Sequence, residues 1–428
     1  MNKPDIVFIN CHDLGRRLRI YGESNAHTPG LNRLAKEGVV FENAFSTSTM
    51  CSPSRGSIAT GRYPHQIGLF GLTNRGWDLC EQEKALPGYL AKAGYHTVLF
   101  GLQHESRNAN RLGYKHIVPR PQPHPTPVWG LAAQVADYLK ELKPRDQRAP
   151  VYVNVGIFEP HRHDFWEHYN PIADEKVKVP GYLPDTKGVR RDLARYDGLI
   201  EAMDQGVSTI LTALDAAALA RETLVLFTTD HGIAFPRAKT TVYDAGIGVS
   251  ALARWPAQIA AGKRTDALVS HTDWLPTLLE ILDVEIPEKV CGHSFLPVLL
   301  GRSEGGRDAI YAEGTYHVGY NPMRCVRTRK YKLIRNYHSQ PDVSSGVDRD
   351  PNNGILAPEE YSESFREKRP PWELFDIEQD PCERHNLVGE SRYEQIQSEL
   401  KQKLEDWLTA TNDPIHQMYA AATEGFAF

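Results

Sequence analysis

The chain has 428 residues, 41% of them apolar and 24% charged, with a formal net charge of −5. That length favours one large unit plus a smaller one over a single compact core. The slightly acidic balance carries no basic field of the kind that points to nucleic acid.

Six cysteines, Cys11, Cys51, Cys80, Cys291, Cys325 and Cys382, are scattered without CxxC spacing. This excludes a zinc ribbon and a disulfide framework. The opening MNKPDIVFIN holds no signal-peptide pattern and no apolar run long enough for a bilayer. The expectation is therefore a cytoplasmic protein with reduced thiols and no membrane partner.

In chain order, the β-branched run DIVFIN (5–10) predicts a buried parallel strand, and PGLNRLAKE (29–37) a helix with proline in its first turn. CSPSRGSIATGR (51–62) predicts a turn over Cys51–Pro53 followed by a helix over 54–62. HTVLFG (96–101) and VYVNVGIF (151–158) predict strands, residues 190–218 a long amphipathic helix, and TLVLFTTD (223–230) another buried strand. In LVSHTDWLPTLLEIL (268–282), Leu275, Leu278, Leu279 and Leu282 recur at helical spacing from about Asp273. Strands alternating with helices predict an α/β fold with a large, mostly parallel sheet sandwiched by helices.

Beyond about residue 305 the texture changes. KYKLIRNY (330–337) and WELFDIEQDP (372–381) read as strands, the polar stretch 338–371 as an excursion, and YEQIQSELKQKLEDWLTA (393–410) as an amphipathic helix. The expected organisation is a catalytic domain over 1–305 and a smaller C-terminal α+β domain, with an antiparallel sheet, over 306–428.

In parallel sheets, functional groups gather at the carboxyl ends of strands. Asn10–Asp13, His161 and Asp230–His231 all sit just past a predicted strand. Either His–Asp pair alone is an ordinary strand-end cap. Together, His12–Asp13 and Asp230–His231 supply two carboxylates and two imidazoles, a set able to hold a divalent cation. His104, His161 and Lys239 could address an anionic substrate. A cysteine at 51 beside Arg55 is expected to have a lowered thiol pKa and nucleophilic character.

These residues carry a family resemblance that covers essentially the whole chain. CSPSRGSIATGR resembles the sulfatase signature, C-x-P-S-R followed by T-G-R. PDIVFINCHDLG resembles that family's opening strand and metal motif, EPHRH its proline–histidine element, FTTDHG its second metal motif, and WELFDIEQDPCERHNL its closing motif. Within the family, EPHRHDF, TDHGIAFPRAKT and YNPMRCVRTRKYKLIRN look most like the N-sulfoglucosamine sulfohydrolases.

The resemblance implies an alkaline-phosphatase-like fold and a metal-dependent hydrolase of sulfate esters or sulfamates, its substrate a sulfated sugar. It also implies that a maturation enzyme oxidises Cys51 to formylglycine, whose hydrate is the nucleophile. By the same match, Arg55 would steady the hydrate and His104 would take the proton of its second hydroxyl. His161 and Lys239 would bind sulfate and protonate the leaving group, while His12, Asp13, Asp230, His231 and the residue-51 hydroxyl would hold the metal.

Two positions depart from the pattern: His12 stands where the family usually has the first of two aspartates, and Leu102 where it usually has a lysine. The family's usual calcium prefers oxygen donors, so His12 favours manganese or zinc. Two other functions fit the same scaffold, a phosphodiester or phosphonate-monoester hydrolase and a catalytically silent binding protein. Assembly into a homo-oligomer is left open.

Overall fold

The computed structural model describes residues 3–119, 127–162, 169–338, 360 and 368–425. Most of the polar stretch 338–371, and the end of EPHRHDF beyond Arg162, lie outside the described residues.

In chain order the elements are β1 (Asp5–Cys11), α1 (Pro29–Glu37), β2 (Val39–Phe45), α2 (Cys51–Thr60), α3 (Leu86–Lys92), β3 (His96–Gly101), β4 (His116–Ile117), α4 (Val128–Glu141), β5 (Val151–Gly156), α5 (Lys187–Ala216), β6 (Thr223–Thr229), α6 (Asp244–Ile247), β7 (Ala251–Arg254), β8 (Lys263–Ser270), α7 (Trp274–Ile281), α8 (Leu296–Leu299), β9 (Ala309–Tyr316), β10 (Tyr320–Thr328), β11 (Tyr331–Asn336), β12 (Trp372–Asp376), α9 (Glu394–Ala410) and α10 (Pro414–Gly425). Every predicted element within the described residues is present. The structure adds β2, β4, β7, β8, β9, β10, α3, α4, α10 and the short α6 and α8, and it ends WELFDIEQDP as a strand at Asp376.

The large sheet has eight strands in the order β4-β3-β5-β1-β6-β7-β2-β8, and only β7 runs against its neighbours. β1 and β6 are buried along their whole length, as apolar strands covered on both faces must be. The period-two alternation divides β1 between the faces. Val7, Ile9 and Cys11 pack against α1, α4 and α5, while Ile6 and Phe8 pack against α3 and α7. No described helix is long and apolar enough to cross a membrane.

The second sheet is antiparallel, in the order β12-β11-β10-β9. One face, with Ile310, Met323, Cys325 and Phe375, packs on Phe45, Val242, Ile247 and Leu268 of the large unit. The other, with Val326, Leu333 and Leu374, is covered by Leu400, Leu404, Trp407 and Leu408 of α9.

Candidate active site

Strands β3, β5, β1 and β6 are neighbours and parallel, so their carboxyl ends open at one edge of the sheet. Chain leaving β1 delivers His12 and Asp13, β3 leads to His104, β5 to His161, and β6 to Asp230 and His231. β3 and β5 approach so closely at their ends that a Cβ on Gly156 would fall 1.8 Å from the Leu102 carbonyl oxygen. That contact fixes where the His104 and His161 loops start.

Cys51 arrives from the other side, as the first residue of α2. The predicted Cys51–Pro53 turn is thus helix: proline at the third position of a first turn removes no intrahelical hydrogen bond, so the helix begins at the cysteine. All ten residues of α2 are buried.

The side chains converge. The Cys51 Sγ lies 3.4 Å from His231 Nε2, which is 3.3 Å from Asp13 Oδ1. The His231 Nδ1–H donates to the Gly232 carbonyl at 3.0 Å, which turns Nε2 toward Asp13 and Cys51. His12 Nδ1 lies 3.0 Å from Asp230 Oδ2. The Arg55 guanidinium clamps Asp230 at 3.3 Å and the Cys11 carbonyl at 2.7 Å, and also donates to Asn10 Oδ1.

Lys239 Nζ is 2.8 Å from Asp13 Oδ2, and His161 Nε2 is 3.8 Å from the same oxygen. His161 is aimed by its Nδ1–H, which donates to the Arg162 carbonyl at 2.6 Å, while Arg162 is itself held by Asp192 of α5 at 2.7 Å. His104 stacks edge-on to His12, with ring centroids 5.2 Å apart. Asp13 and Thr240 both hold positive φ, 54° and 72°, conformations that cost strain in non-glycine residues and concentrate at functional sites.

Burial opposes ionisation of both carboxylates, yet the charged and hydrogen-bonding groups around them prevail. Lys239, His161 and His231 hold Asp13 below the usual carboxylate range, and His231, His12 and Arg55 hold Asp230 well below it. Burial, then Arg55, pushes His12 down to about 3 and keeps it neutral. His104 is lowered in the same way, by burial first.

The expected low thiol pKa is overturned. Burial, then Asp230, raises Cys51 well above its ordinary value, because Arg55 is spent on Asp230, Asn10 and Cys11.

All nine sequence-chosen residues therefore meet in one cluster. Ligand atoms of His12, Asp13, Cys51 and Asp230 lie within 4.8 Å of one another. His12 Nε2 and Asp13 Oδ1 are buried with no hydrogen-bond partner. Two ionised carboxylates, neutral imidazoles and orphaned buried donor atoms are what a divalent cation requires of its ligands, so the residues fit one.

Leu102 is buried and uncharged. Gln103 and Arg107 do not replace the missing lysine among the described contacts. The Gln103 amide is spent on its own turn, donating to Ser106 O at 2.8 Å and accepting from Glu105 N at 3.0 Å, and Arg107 is exposed.

The sequence reading missed a supporting set. Asn10, bridged to Asn154 at 2.8 Å, holds Arg55; Ser54 donates to the Asp230 carbonyl at 2.5 Å and contacts His271 Nδ1 at 3.0 Å. A polar Asn154 inside an apolar strand, and a histidine just past β8, were the available signals.

Residues 4–284 match the family model described as Sulfatase, and residues 235–363 and 354–410 match the one described as N-sulphoglucosamine sulphohydrolase, C-terminal. The chain is 30% identical to an ulvan-active sulfatase of Formosa agariphila, over 96% of this chain and 81% of that protein. It is 29% identical to the N-sulphoglucosamine sulphohydrolase of Homo sapiens, over 95% of this chain and 90% of that one. A solved protein in complex with its substrate D-glucosamine-2-N,6-O-disulfate shares the fold, with a TM-score of 0.74 and 19% identity over 96% of this chain and 99% of that one.

Proposed function

We propose a reaction for this chain, which belongs to the sulfatase family and is a sulfuric ester hydrolase: removal of an O- or N-linked sulfate from a sugar. In this reading residue 51 works as formylglycine, and His12, Asp13, Asp230 and His231 hold a divalent cation. The observation that carries it is the burial of residue 51 against His231, inside a ring of two ionised carboxylates and neutral imidazoles, with Lys239 and His161 at the rim.

A divalent cation there would supply Lewis-acid polarisation of a sulfate oxygen and a lowered pKa for a hydroxyl on residue 51. The chain's own groups account for the rest. Residue 51 opens a buried ten-residue helix, whose N-terminus favours negative charge. Lys239 and His161, both facing Asp13, bind the sulfate and can pass a proton to the departing oxygen or nitrogen. His104, kept neutral by burial, would take the proton of the second hydroxyl on a residue-51 hydrate. Arg55 orients Asp230. The raised thiol pKa speaks against Cys51 acting as a thiolate.

The relatives named for sulfated carbohydrates support a sulfated saccharide as substrate and do not favour a phosphodiester or phosphonate-monoester hydrolase. Conversion of Cys51 makes a formylglycine-generating enzyme an obligatory partner. The test is an intact mass of the residue-51 peptide, joined to rates on N-sulfoglucosamine, O-sulfated glucosamine and an aryl phosphate diester. An aldehyde at residue 51, faster turnover of a sulfated sugar, and loss of turnover in Cys51→Ala at an unchanged melting temperature are expected. A Cys51→Ala variant that kept more than a few per cent of the rate would remove residue 51 from the chemistry.

A further inference from the structure

A second concave site lies where the loop after β1 meets the second sheet. The cavity, of about 350 Å³, is lined by Arg16, Lys178, Tyr182, Arg237, Tyr243 and Arg327 among others. None of the nine residues of the catalytic cluster lines it.

Its charges do not balance. Three carboxylates line it: exposed Glu23, half-buried Asp244 and buried Glu383. Asp244 is shared between Arg327 at 3.1 Å and Lys332 at 2.9 Å, and the same Lys332 takes Glu383 at 3.0 Å. Asp244 and Glu23 are near Arg16, but neither pairs with it directly. Its Nη2 donates to the Ala44 carbonyl at 3.4 Å, its Nε is buried without a partner, and no carboxylate comes within ion-pair distance.

The guanidinium is nonetheless held in place. It lies over the Phe45 ring at 4.7 Å, the same ring that carries Arg327 at 4.7 Å. It also rests on Gly248, where a Cβ would come within 3.1 Å of Arg16 Nε. Burial depresses the Arg16 pKa; Asp244 offsets part of that, and Arg327 adds to the depression. A largely buried, positioned cation with an open cavity in front of it lacks a directly paired anion.

We propose that this cavity binds an oxyanion, a sulfate ion or the acidic group of a saccharide, with Arg16 as its principal cation. A planar guanidinium suits either group, because its fork matches two oxygens of a carboxylate or sulfate. The inference does not rest on the catalytic reading, since it uses none of the catalytic residues.

The probes are selenate, an anomalous scatterer with the shape of sulfate, and glucuronate, each in crystals of the wild-type chain. An anomalous peak in the cavity within hydrogen-bond distance of Arg16 identifies the free ion as ligand. Glucuronate density there without a selenate peak identifies the saccharide acid. Arg16→Gln should abolish binding of whichever probe is seen, while aryl sulfate turnover stays within twofold of wild type. Arg16→Lys, which keeps the charge and loses the fork, should retain weakened binding. An empty cavity at probe concentrations that fill the catalytic cleft would overturn the proposal, as would undiminished occupancy in Arg16→Gln. The wild-type crystals decide the question even where a variant does not fold.

Discussion

The side chain at position 102 is buried but belongs to none of the apolar clusters. A polar replacement therefore removes little packing. With Gln103 committed to its own turn and Arg107 exposed, no described residue supplies a cation in its stead. Leu102→Lys should raise kcat/KM on aryl sulfates about tenfold, a fraction of the 10²–10³ that a well-placed electrostatic group is worth. A fall in kcat/KM would show that the site has re-specialised around leucine. His12 makes the second residue-level prediction. Its neutral imidazole beside Asp13 and Asp230 is a softer donor than a carboxylate. Protein purified without added metal should contain manganese or zinc by elemental analysis, and His12→Asp should shift the content toward calcium. Stoichiometric calcium in the wild type would remove His12 from the ligand set. Both positions were legible in the sequence as departures from a motif. The supporting roles of Asn10, Ser54 and His271 were not, because their work is to hold Arg55 and Asp230, and a holding contact leaves no spacing to read.

At the scale of elements, the apolar runs of β1 and β6 announced buried strands, and the strand-end rule pointed from them to the candidate site. The four-residue β7 and the half-exposed β8 carry too little apolar pattern to announce themselves. Helix capping across the sequence was equally hidden. The amides of Gly30 and Leu31 at the start of α1 donate to the Asp204 carboxylate of α5 at 2.8 and 2.7 Å, across more than 170 residues of chain. Asp204→Ala strips both acceptors and should cost about 2 kcal/mol in chemical denaturation. Burial raises the Asp204 pKa from 3.8 to about 6 despite those two hydrogen bonds. The folded chain thus binds this proton more tightly than the unfolded chain does, so the group's contribution is fully present below pH 3.8 and is lost as pH rises to about 6. The loss is on the order of 2–3 kcal/mol. Asp204→Asn, uncharged throughout, should show a correspondingly flatter fall in stability over that window. Equal slopes in the two proteins would show that Asp204 does not titrate there.

For the molecule as a whole, the change of texture after residue 305 announced the second, antiparallel sheet, but not what fastens it to the large one. The fastening is polar and buried. His65, in the turn after α2, donates its backbone N–H to Glu313 of β9 at 2.9 Å and pairs its ring with the same carboxylate. Arg324 of β10 binds Asp413, between α9 and α10, at 2.5 Å, and donates to the Gly314 carbonyl at 2.9 Å. Four segments from both units meet around one guanidinium that is 0% exposed. Removing one partner of a buried pair leaves the other charged and unsolvated, at a cost of about 3–5 kcal/mol. Arg324→Met should therefore lower stability by that amount in urea denaturation. The double variant Arg324→Met/Asp413→Leu should recover part of the loss, because Glu313 keeps His65 and no carboxylate is left stranded. The pair of measurements separates stranded charge from lost packing: packing loss alone would make the double variant worse than the single. A single variant within 1 kcal/mol of wild type would mean that water reaches Asp413 and relieves its charge when the guanidinium is gone.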